Sequence, residues 1–314
     1  MNFIEFARKY STEESCKLLI KHYRDKYGII CKKCGCKDHY WQGSIDMYQC
    51  KECKFRTTLR SGTILESSKL SYQFWVYAIF LMTMTKKGIS ALELQRQLGH
   101  KRYEPIWAMM HKIRATMGNR DSKYMLDGVI ELDDAFLKTH KDDKDDDEQS
   151  KRGRGSAGQT KVLVMAKVAP KVGRPKKHKK SSKFRYVKMQ VISDSSAHSI
   201  TPKVSESISS TSKVKSDGWR GFSKIKNLVN NHQYLIIPPK EASKVLPWVH
   251  TMISNTKRNL LGIYHNTKNI YLQNYLNEFC YKVNRRYFKQ DIFERLMEAA
   301  VEDTWYGKLV YKNG

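Results

Sequence analysis

The chain has 314 residues and carries 58 lysines and arginines against 31 aspartates and glutamates, a formal net charge of +27. This length allows one large domain with one or two small ones, and a sizeable core. So strong a positive charge favours a polyanionic partner, with nucleic acid the leading candidate over a merely soluble cationic surface.

Two features of the sequence bear on the cellular compartment. Residues 1–10 are too few and too charged for a secretory signal. The longest apolar run, residues 74–84, is shorter than the roughly 20 residues that span a bilayer. We therefore expect a cytoplasmic protein without membrane contact, in which cysteines are reduced or metal-bound rather than paired as disulfides.

Two cysteine pairs near the N-terminus have the spacing of a metal site. Cys31 with Cys34 and Cys50 with Cys53 each form a CxxC motif, and 15 residues separate the two motifs. Four thiolates at this spacing can close a tetrahedral site for Zn²⁺, which is structural because no position stays open for catalysis. Cys36 is a spare cysteine that could replace Cys34. The lysines around these motifs suit either phosphate contact or simple solvation.

A helical segment follows the cysteines. Residues 70–86 predict a buried helix, Ser90 predicts the N-cap of a short helix that ends at Gly99, and residues 103–117 predict another helix. This order indicates a DNA-binding helix-turn-helix, with a plain helical hairpin as the alternative. On the last helix the polar face is expected to hold His111, Lys112 and Arg114, opposite Trp107.

The stretch Asp127–Lys138, DGVIELDDAFLK, predicts a strand that presents Asp133 and Asp134. A second apolar-to-polar segment at 214–222, VKSDGWRGF, carries Asp217. Further strands are expected at 161–168, 184–192 and 234–237, and a polar segment with helix potential at 195–212. Three strands, a crossover, a fourth strand and then helices is the order of an RNase H-like mixed α/β sheet.

In that architecture the first and fourth strands are neighbours, so Asp133 and Asp217 are predicted to lie side by side. Two such carboxylates can hold two divalent cations roughly 3.5–4 Å apart, which is the arrangement used for in-line attack on phosphodiesters. Oxygen ligands favour Mg²⁺ or Mn²⁺. Alternation along the strand lets only one of Asp133 and Asp134 face the metals. A third oxygen ligand comes from the helix after the fourth strand, here residues 248–261, where Asn255 is the candidate.

Basic residues supply candidate phosphate contacts. The loops at 151–158 and 171–183 are too polar to build a core, and the acidic run at 141–148 is expected to be solvated. Lys257 is placed beside Asn255, where it can bind a scissile or flanking phosphate. The predicted DNA-binding residues are Lys112, Arg114, Arg152, Arg154, Arg174, Lys176, Lys177, Arg220, Arg258, Arg285 and Arg286.

An ordered set of segments resembles a known family: ELDD, KRGRG, SDGWRGF, VHTMISNTKR, LLGIYH and YLNEFCYKVNRR. They are similar to bacterial insertion-sequence transposases of the 1595 family, which have a DDE-type RNase H-like core and an N-terminal zinc ribbon. The resemblance extends from the cysteine motifs to about Val301. It implies that Asp133 and Asp217 are the first two catalytic acids.

The resemblance makes Asn255 the third catalytic position, where many relatives have the glutamate of H-T-x-x-I-E, as in a branch with an Asp-Asp-Asn-Lys signature. Relatives with glutamate place their lysine about two helical turns later, whereas Lys257 follows Asn255 by two residues. His250 and Glu278 therefore stay as alternative third ligands.

These expectations define three domains. They are an N-terminal helix and zinc ribbon (1–60), a helix-turn-helix segment (61–120) and an RNase H-like catalytic domain with basic loop insertions (121–314). The expected function is a DNA transposase that binds the ends of its element in double-stranded DNA, cleaves there and joins the 3′-hydroxyls to target DNA, as a homo-oligomer without an organic cofactor. The alternatives are an RNase H-like nuclease without strand transfer and a non-catalytic, domesticated DNA-binding protein.

Overall fold

The computed structural model describes residues 2–140, 159–170, 182–236, 242–265, 267–288 and 291–304. Its contacts form two units, one of Met1–Arg120 with Phe288–Gly314 and the other of Asp121–Tyr287. Within the described ranges, no helix combines the length and the apolar composition that crossing a membrane requires.

The first unit joins a small ribbon to helices. The ribbon is an antiparallel sheet of β1 (His39–Gln42), β2 (Met47–Cys50) and β3 (Arg56–Thr58). The helices are α1 (Phe3–Lys9), α2 (Glu13–Tyr27), α3 (Tyr72–Met84), α4 (Ala91–Leu98), α5 (Tyr103–Ser122, which continues to the start of the second unit) and α10 (Asp291–Glu302). Residues 291–302, which were expected in the catalytic domain, thus form a helix of the first unit.

Aromatic packing and side-chain caps hold the helices of this unit. Phe6 of α1 stacks on Phe80 of α3 with ring centroids 3.7 Å apart, and Phe293 of α10 meets Phe6 edge-on at 5.4 Å. The predicted limits of α4 are confirmed, because the Ser90 hydroxyl accepts from the Glu93 N–H and Gly99 adopts a left-handed φ of 64°.

The predicted polar face of α5 is wrong. His111 and Arg114 are 0% and 1% exposed, and the Lys112 ammonium donates to the main-chain oxygen of Glu66 at 2.8 Å. The helix is buried around most of its circumference, so these polar residues belong to its buried surface and not to a solvated face.

The second unit is built on a five-stranded mixed sheet. Its strands are β4 (Val129–Lys138), β5 (Gln159–Pro170), β6 (Ser182–Ile192), β7 (Lys213–Asp217) and β8 (Asn231–Leu235), in the order β6-β5-β4-β7-β8. The pairs β6–β5 and β5–β4 are antiparallel, whereas β4–β7 and β7–β8 are parallel. The prediction that the first and fourth strands are neighbours is therefore confirmed.

Helices cover both faces of this sheet. They are α6 (Ala197–Ser207), α7 (Ala242–Val245), α8 (Pro247–Asn259) and α9 (Leu272–Asn284), with a 3₁₀ helix at Arg220–Asn227, a π turn at Leu260–Tyr264 and a 3₁₀ turn at Asn269–Tyr271. Alternate residues of β4 reach opposite faces. Ala135 and Leu137 pack with α8 and α9, whereas Ile130 and Leu132 pack with α6 and the Arg220–Asn227 helix. The strand expected at 234–237 instead begins at Asn231, because β8 pairs with β7 from that residue onward.

Candidate functional site

Two aspartates occupy neighbouring positions on two adjacent parallel strands, Asp133 in the middle of β4 and Asp217 at the end of β7. The register pairs Leu132 of β4 with Ser216 of β7, so that Asp133 and Asp217 are the next residues on neighbouring strands. Asp133 is 8% exposed, on the face of β4 that α8 covers. The parallel pairing of β4 and β7 thus brings together two residues that are 84 positions apart in the sequence.

The charge on Asp133 is disfavoured in this environment. Burial, reinforced by the carboxylates of Asp217 and Asp134, raises the pKa of Asp133 to about 7. A bound cation would reverse this effect by stabilising the ionised carboxylate. A carboxylate pair whose full ionisation is disfavoured in this way could hold a divalent cation, which would supply the missing positive charge.

Asp134 faces the opposite way. Its carboxylate accepts from the Ser195 hydroxyl, just before α6, while its main-chain N–H donates to the Asp133 carboxylate at 2.8 Å. Strand alternation thus separates the two neighbouring aspartates, as the sequence predicts.

His250 is the α8 residue that reaches the carboxylates. Its Nε2 lies 3.6 Å from Oδ2 of Asp133, and among the described residues this buried nitrogen has no hydrogen-bond partner. Burial lowers the pKa of His250, and the charge of Asp217 opposes that effect. A neutral imidazole nitrogen beside two carboxylates can complete a ligand set, because imidazole and carboxylate both bind divalent metals.

Asn255 lies on a different stripe of α8. It lines a pocket together with Trp248, Thr251 and Met252, at helical intervals of three and four residues. The five residues from His250 to Asn255 correspond to a rotation of about 140° around the helix, whereas the seven residues to Lys257 bring the chain almost back to the His250 stripe. Lys257 is exposed.

The other predicted candidates have local partners. The Arg258 guanidinium donates to Oδ1 of Asn255 at 3.1 Å and to the Ser254 carbonyl at 3.3 Å. Glu278 of α9 is buried at 2% exposure, where it accepts from the Tyr264 hydroxyl at 3.1 Å and pairs with Lys282 at 3.7 Å.

Glu131 is a site residue that the sequence did not single out. It shares the α8 face of β4 with Asp133, and its Oε2 accepts from the N–H groups of Trp248 and Val249 at 2.7 and 2.9 Å. These are donors of the first turn of α8, which no residue of the helix itself can satisfy. The carboxylate thus caps α8 and fixes the helix that carries His250 onto the strand that carries Asp133.

Gly221 in the SDGWRGF segment, four residues after Asp217, allows the main chain there to pack against the main chain of Ser195. A Cβ added at Gly221 would lie 2.1 Å from the Ser195 carbonyl oxygen, which also accepts from the Trp219 indole at 2.8 Å. Only glycine fits there, and the turn after β7 is thereby held against the residue that binds Asp134.

The four predicted zinc ligands come together in the first unit. The sulfur atoms of Cys31, Cys34, Cys50 and Cys53 all lie within 4.8 Å of one another, with Cys31–Cys53 at 3.5 Å and Cys34–Cys50 at 3.6 Å. A tetrahedral site with Zn–S bonds near 2.3 Å requires sulfur separations of about 3.8 Å, so the cluster fits Zn²⁺. Cys36 instead accepts from the Asp38 N–H, outside the cluster.

Several predicted DNA-binding residues need correction or lie elsewhere. Arg114 is buried, and Arg285 is buried in an ion pair with Asp121, so neither is placed to bind a phosphate. Arg286 donates to the main-chain oxygens of Phe184, Arg185 and Val283. Arg220 is exposed three residues after Asp217. Arg152, Arg154, Arg174, Lys176 and Lys177 lie outside the described residues.

Comparison with known proteins defines the class. A sequence model of one family, described as an ISXO2-like transposase domain, matches residues 125–284, which include all five strands of the mixed sheet and both aspartates of the site. The second unit is therefore a transposase domain. The chain belongs to the 1595 family of insertion-sequence transposases, as its sequence motifs indicate. A comparison with curated proteins finds no match.

Proposed function

We propose that this chain is a DNA transposase that binds the ends of its insertion sequence, cleaves at those ends and transfers the freed 3′-hydroxyls to target DNA. The observation that carries the proposal is the juxtaposition of Asp133 and Asp217 on the adjacent parallel strands β4 and β7. The strand order, with three antiparallel strands followed by two parallel ones, supports an RNase H-like core.

The chemistry rests on a small set of side chains. Asp133 and Asp217 would hold Mg²⁺ or Mn²⁺, which supplies Lewis-acid stabilisation to the in-line displacement at phosphorus. Glu131 holds α8 in place, and Ser195 holds the neighbouring carboxylate of Asp134 away from the site. Exposed Lys257, Arg258 and Arg220 would bind phosphates next to the scissile bond.

Two residues, Asn255 and His250, are candidates for the third metal ligand, and a different observation favours each. The family resemblance favours Asn255, whereas the distance of 3.6 Å to Asp133 favours His250. An amide oxygen suits Mg²⁺, and an imidazole nitrogen suits softer divalent metals better. Activity that is highest with Mg²⁺ would therefore favour Asn255 as the third ligand, and activity that is highest with a softer divalent metal would favour His250.

The remaining parts follow from the same proposal. The zinc ribbon and the α4–α5 pair would recognise the element ends, with α5 acting through residues other than the buried His111 and Arg114. The basic residues of the two loops outside the described ranges would add phosphate contacts. Joining two ends requires at least a dimer on double-stranded DNA. Such a protein acts in the cytoplasm, on the nucleoid.

A strand-transfer assay tests the proposal. Purified full-length protein is incubated with Mg²⁺ and DNA that carries the ends of its own element, and cleaved and joined products are resolved on gels. Asp217→Ala should abolish both products, whereas Asp127→Ala, an exposed aspartate two residues before the start of β4, should leave both intact. Cleavage by wild type without joining would indicate a nuclease, and binding without cleavage would indicate a non-catalytic DNA-binding protein.

The same assay separates the third ligands. Loss of products with His250→Ala but not with Asn255→Ala would assign His250. The reverse result, with DNA binding by Asn255→Ala unchanged, would assign Asn255. His198→Ala, an exposed histidine on α6, is the matched control and should have no effect.

A further inference from the structure

A second site lies on the other stripe of α8. It is a pocket of about 450 Å³ between the start of β6, α8 and the end of α9. Two aromatic rings, Phe184 and Trp248, line it with centroids 5.8 Å apart and planes inclined by 42°. The amide of Asn255 lines it as well. Lys183, Arg185 and Tyr287 line it and are exposed.

Hydrogen bonds hold the lining in a fixed arrangement. The Trp248 indole N–H donates to the carbonyl and hydroxyl oxygens of Ser182 at 3.0 Å, while the main chain of Trp248 is bound to Glu131. The Arg286 guanidinium lies 4.6 Å from the Phe184 ring centroid and 4.1 Å from that of Tyr287. Its donors are used by main-chain carbonyls of β6 and α9. The pocket is thus formed before any ligand binds.

This combination of groups matches one kind of ligand. Flat aromatic faces bind a nucleobase by stacking, a side-chain amide bonds the donors and acceptors at a base edge, and lysine and arginine at the exposed side bind the attached phosphates. A base inside a duplex cannot enter such a pocket, because its faces are covered by its neighbours and its edge is paired. The ligand must therefore be an unpaired base.

The pocket also lies within reach of DNA bound at the carboxylates if the proposed function holds. The main chain of Trp248 binds Glu131, which precedes Asp133 by two residues on β4. Asn255 lies about 7.5 Å from His250 along the axis of α8, on a stripe rotated from it by about 140°. A strand whose phosphate reaches Asp133 would meet the pocket several nucleotides away, by passing around α8.

We propose that this pocket binds a single unpaired nucleobase of the DNA substrate, stacked on Trp248 and contacted by Asn255. The proposal rests on the proposed function for the identity of the nucleic acid. It gives Asn255 a role in base binding instead of metal binding.

A binding comparison tests the proposal without requiring catalysis. Full-length protein without added Mg²⁺ is titrated into a fluorescent duplex with one unpaired base, and into the same duplex with an abasic residue at that position. Wild type should bind the base-containing duplex roughly 5- to 150-fold more tightly, the range expected for stacking one base on an aromatic ring.

Variants locate the preference. Trp248→Ala should reduce the preference for the unpaired base towards zero, and Trp248→Phe should retain most of it, because an aromatic face remains. Asn255→Ala should reduce it in part, because it removes only the contact to the base edge. Ser254→Ala, an exposed neighbour of Asn255, is the matched control and should behave as wild type. Thermal unfolding of each variant shows that the fold persists.

Equal affinity of wild type for the two duplexes overturns the proposal, and so does a base preference that survives both Asn255→Ala and Trp248→Ala. Equal affinity combined with dimers that Tyr287→Ala dissociates would assign the pocket to contacts between copies, which also overturns it. If wild type transfers strands but shows no base preference, the transposase proposal holds and the base-pocket proposal fails. If it shows a base preference but does not cleave DNA, the base-pocket proposal holds and the transposase proposal fails.

Discussion

Asp133 is destabilising to the metal-free fold wherever it is ionised. A carboxyl whose pKa rises on folding favours the folded state while it is protonated in both states, and this contribution is lost as the pH increases from its unfolded pKa to its folded one. For Asp133 the window runs from about 3.9 in the unfolded chain to about 7 in the folded protein.

Asp133→Asn should therefore stabilise the protein above this window. Without added Mg²⁺, the free energy of unfolding should exceed that of wild type by up to about 4 kcal/mol near pH 8 and by less near pH 5. Urea unfolding at both pH values measures the difference. A difference that does not grow with pH would contradict the assigned environment of Asp133.

Addition of Mg²⁺ should stabilise wild type more than Asp133→Asn, which is the opposite of the difference expected without metal. A ligand of the folded state raises stability by mass action, so Mg²⁺ should stabilise wild type and not Asp133→Asn. Asp134→Asn is the matched control, because its carboxylate points to Ser195, and it should keep the wild-type response to Mg²⁺. Equal responses in the two variants would exclude Asp133 as the metal ligand.

Glu131 makes a second prediction at the residue scale. Glu131→Ala leaves two N–H groups at the start of α8 without their acceptor and removes a negative charge from the positive end of the helix dipole. The expected loss of stability is about 2–4 kcal/mol. Glu131→Gln should lose less, since it keeps one acceptor oxygen. Chemical denaturation gives both values, with exposed Glu206→Ala as the control. A loss below that of the control would show that the cap is dispensable.

Single elements explain what could be predicted from the sequence. The strands β4, β5 and β6 are predicted close to their observed limits because their central residues are mostly apolar or alternate with polar ones. The neighbouring positions of Asp133 and Asp217 followed from element order alone. The start of β8 was missed because NHQYL is mostly polar, and only its pairing with β7 makes it a strand.

The errors concern long-range partners. Arg285 seemed exposed on the period of its helix, yet it pairs with Asp121, 164 residues away. Glu131 seemed an ordinary polar residue of a strand, yet it binds main-chain groups 117 and 118 residues later. Such contacts depend on how helices dock onto the sheet, which local periodicity does not contain. Which side of α8 faces Asp133 likewise depends on how that helix docks onto the sheet, so the sequence did not show that His250 contacts Asp133.

The ribbon supplies the prediction at the scale of an element. The chain should bind one Zn²⁺, which metal analysis of the purified protein measures. Cys50→Ser should lose the ion and unfold β1–β3, because such small sheets depend on their metal for stability. Cys36→Ser should retain it, since Cys36 lies outside the cluster. If Cys36→Ser loses Zn²⁺ and Cys34→Ser does not, the fourth ligand is Cys36 and not Cys34.

At the scale of the whole molecule, charge should govern how tightly DNA is held. A net charge of +27 implies many phosphate contacts, and each contact releases counterions from DNA. The logarithm of the binding constant should then fall linearly with the logarithm of salt concentration. The slope should be about −0.9 for each phosphate neutralised, so 6–10 contacts would cost roughly 10³- to 10⁵-fold between about 50 and 200 mM salt.

Individual residues should change this slope according to the face they occupy. Lys257 is exposed on α8, the helix that contacts Asp133, so Lys257→Ala should make the slope shallower by about 0.9. Lys203 is on α6, which covers the other face of the sheet, and Lys203→Ala should leave the slope unchanged. Fluorescence anisotropy at several salt concentrations measures both. An effect of Lys203→Ala as large as that of Lys257→Ala would mean that DNA is held by overall charge and not by the α8 face.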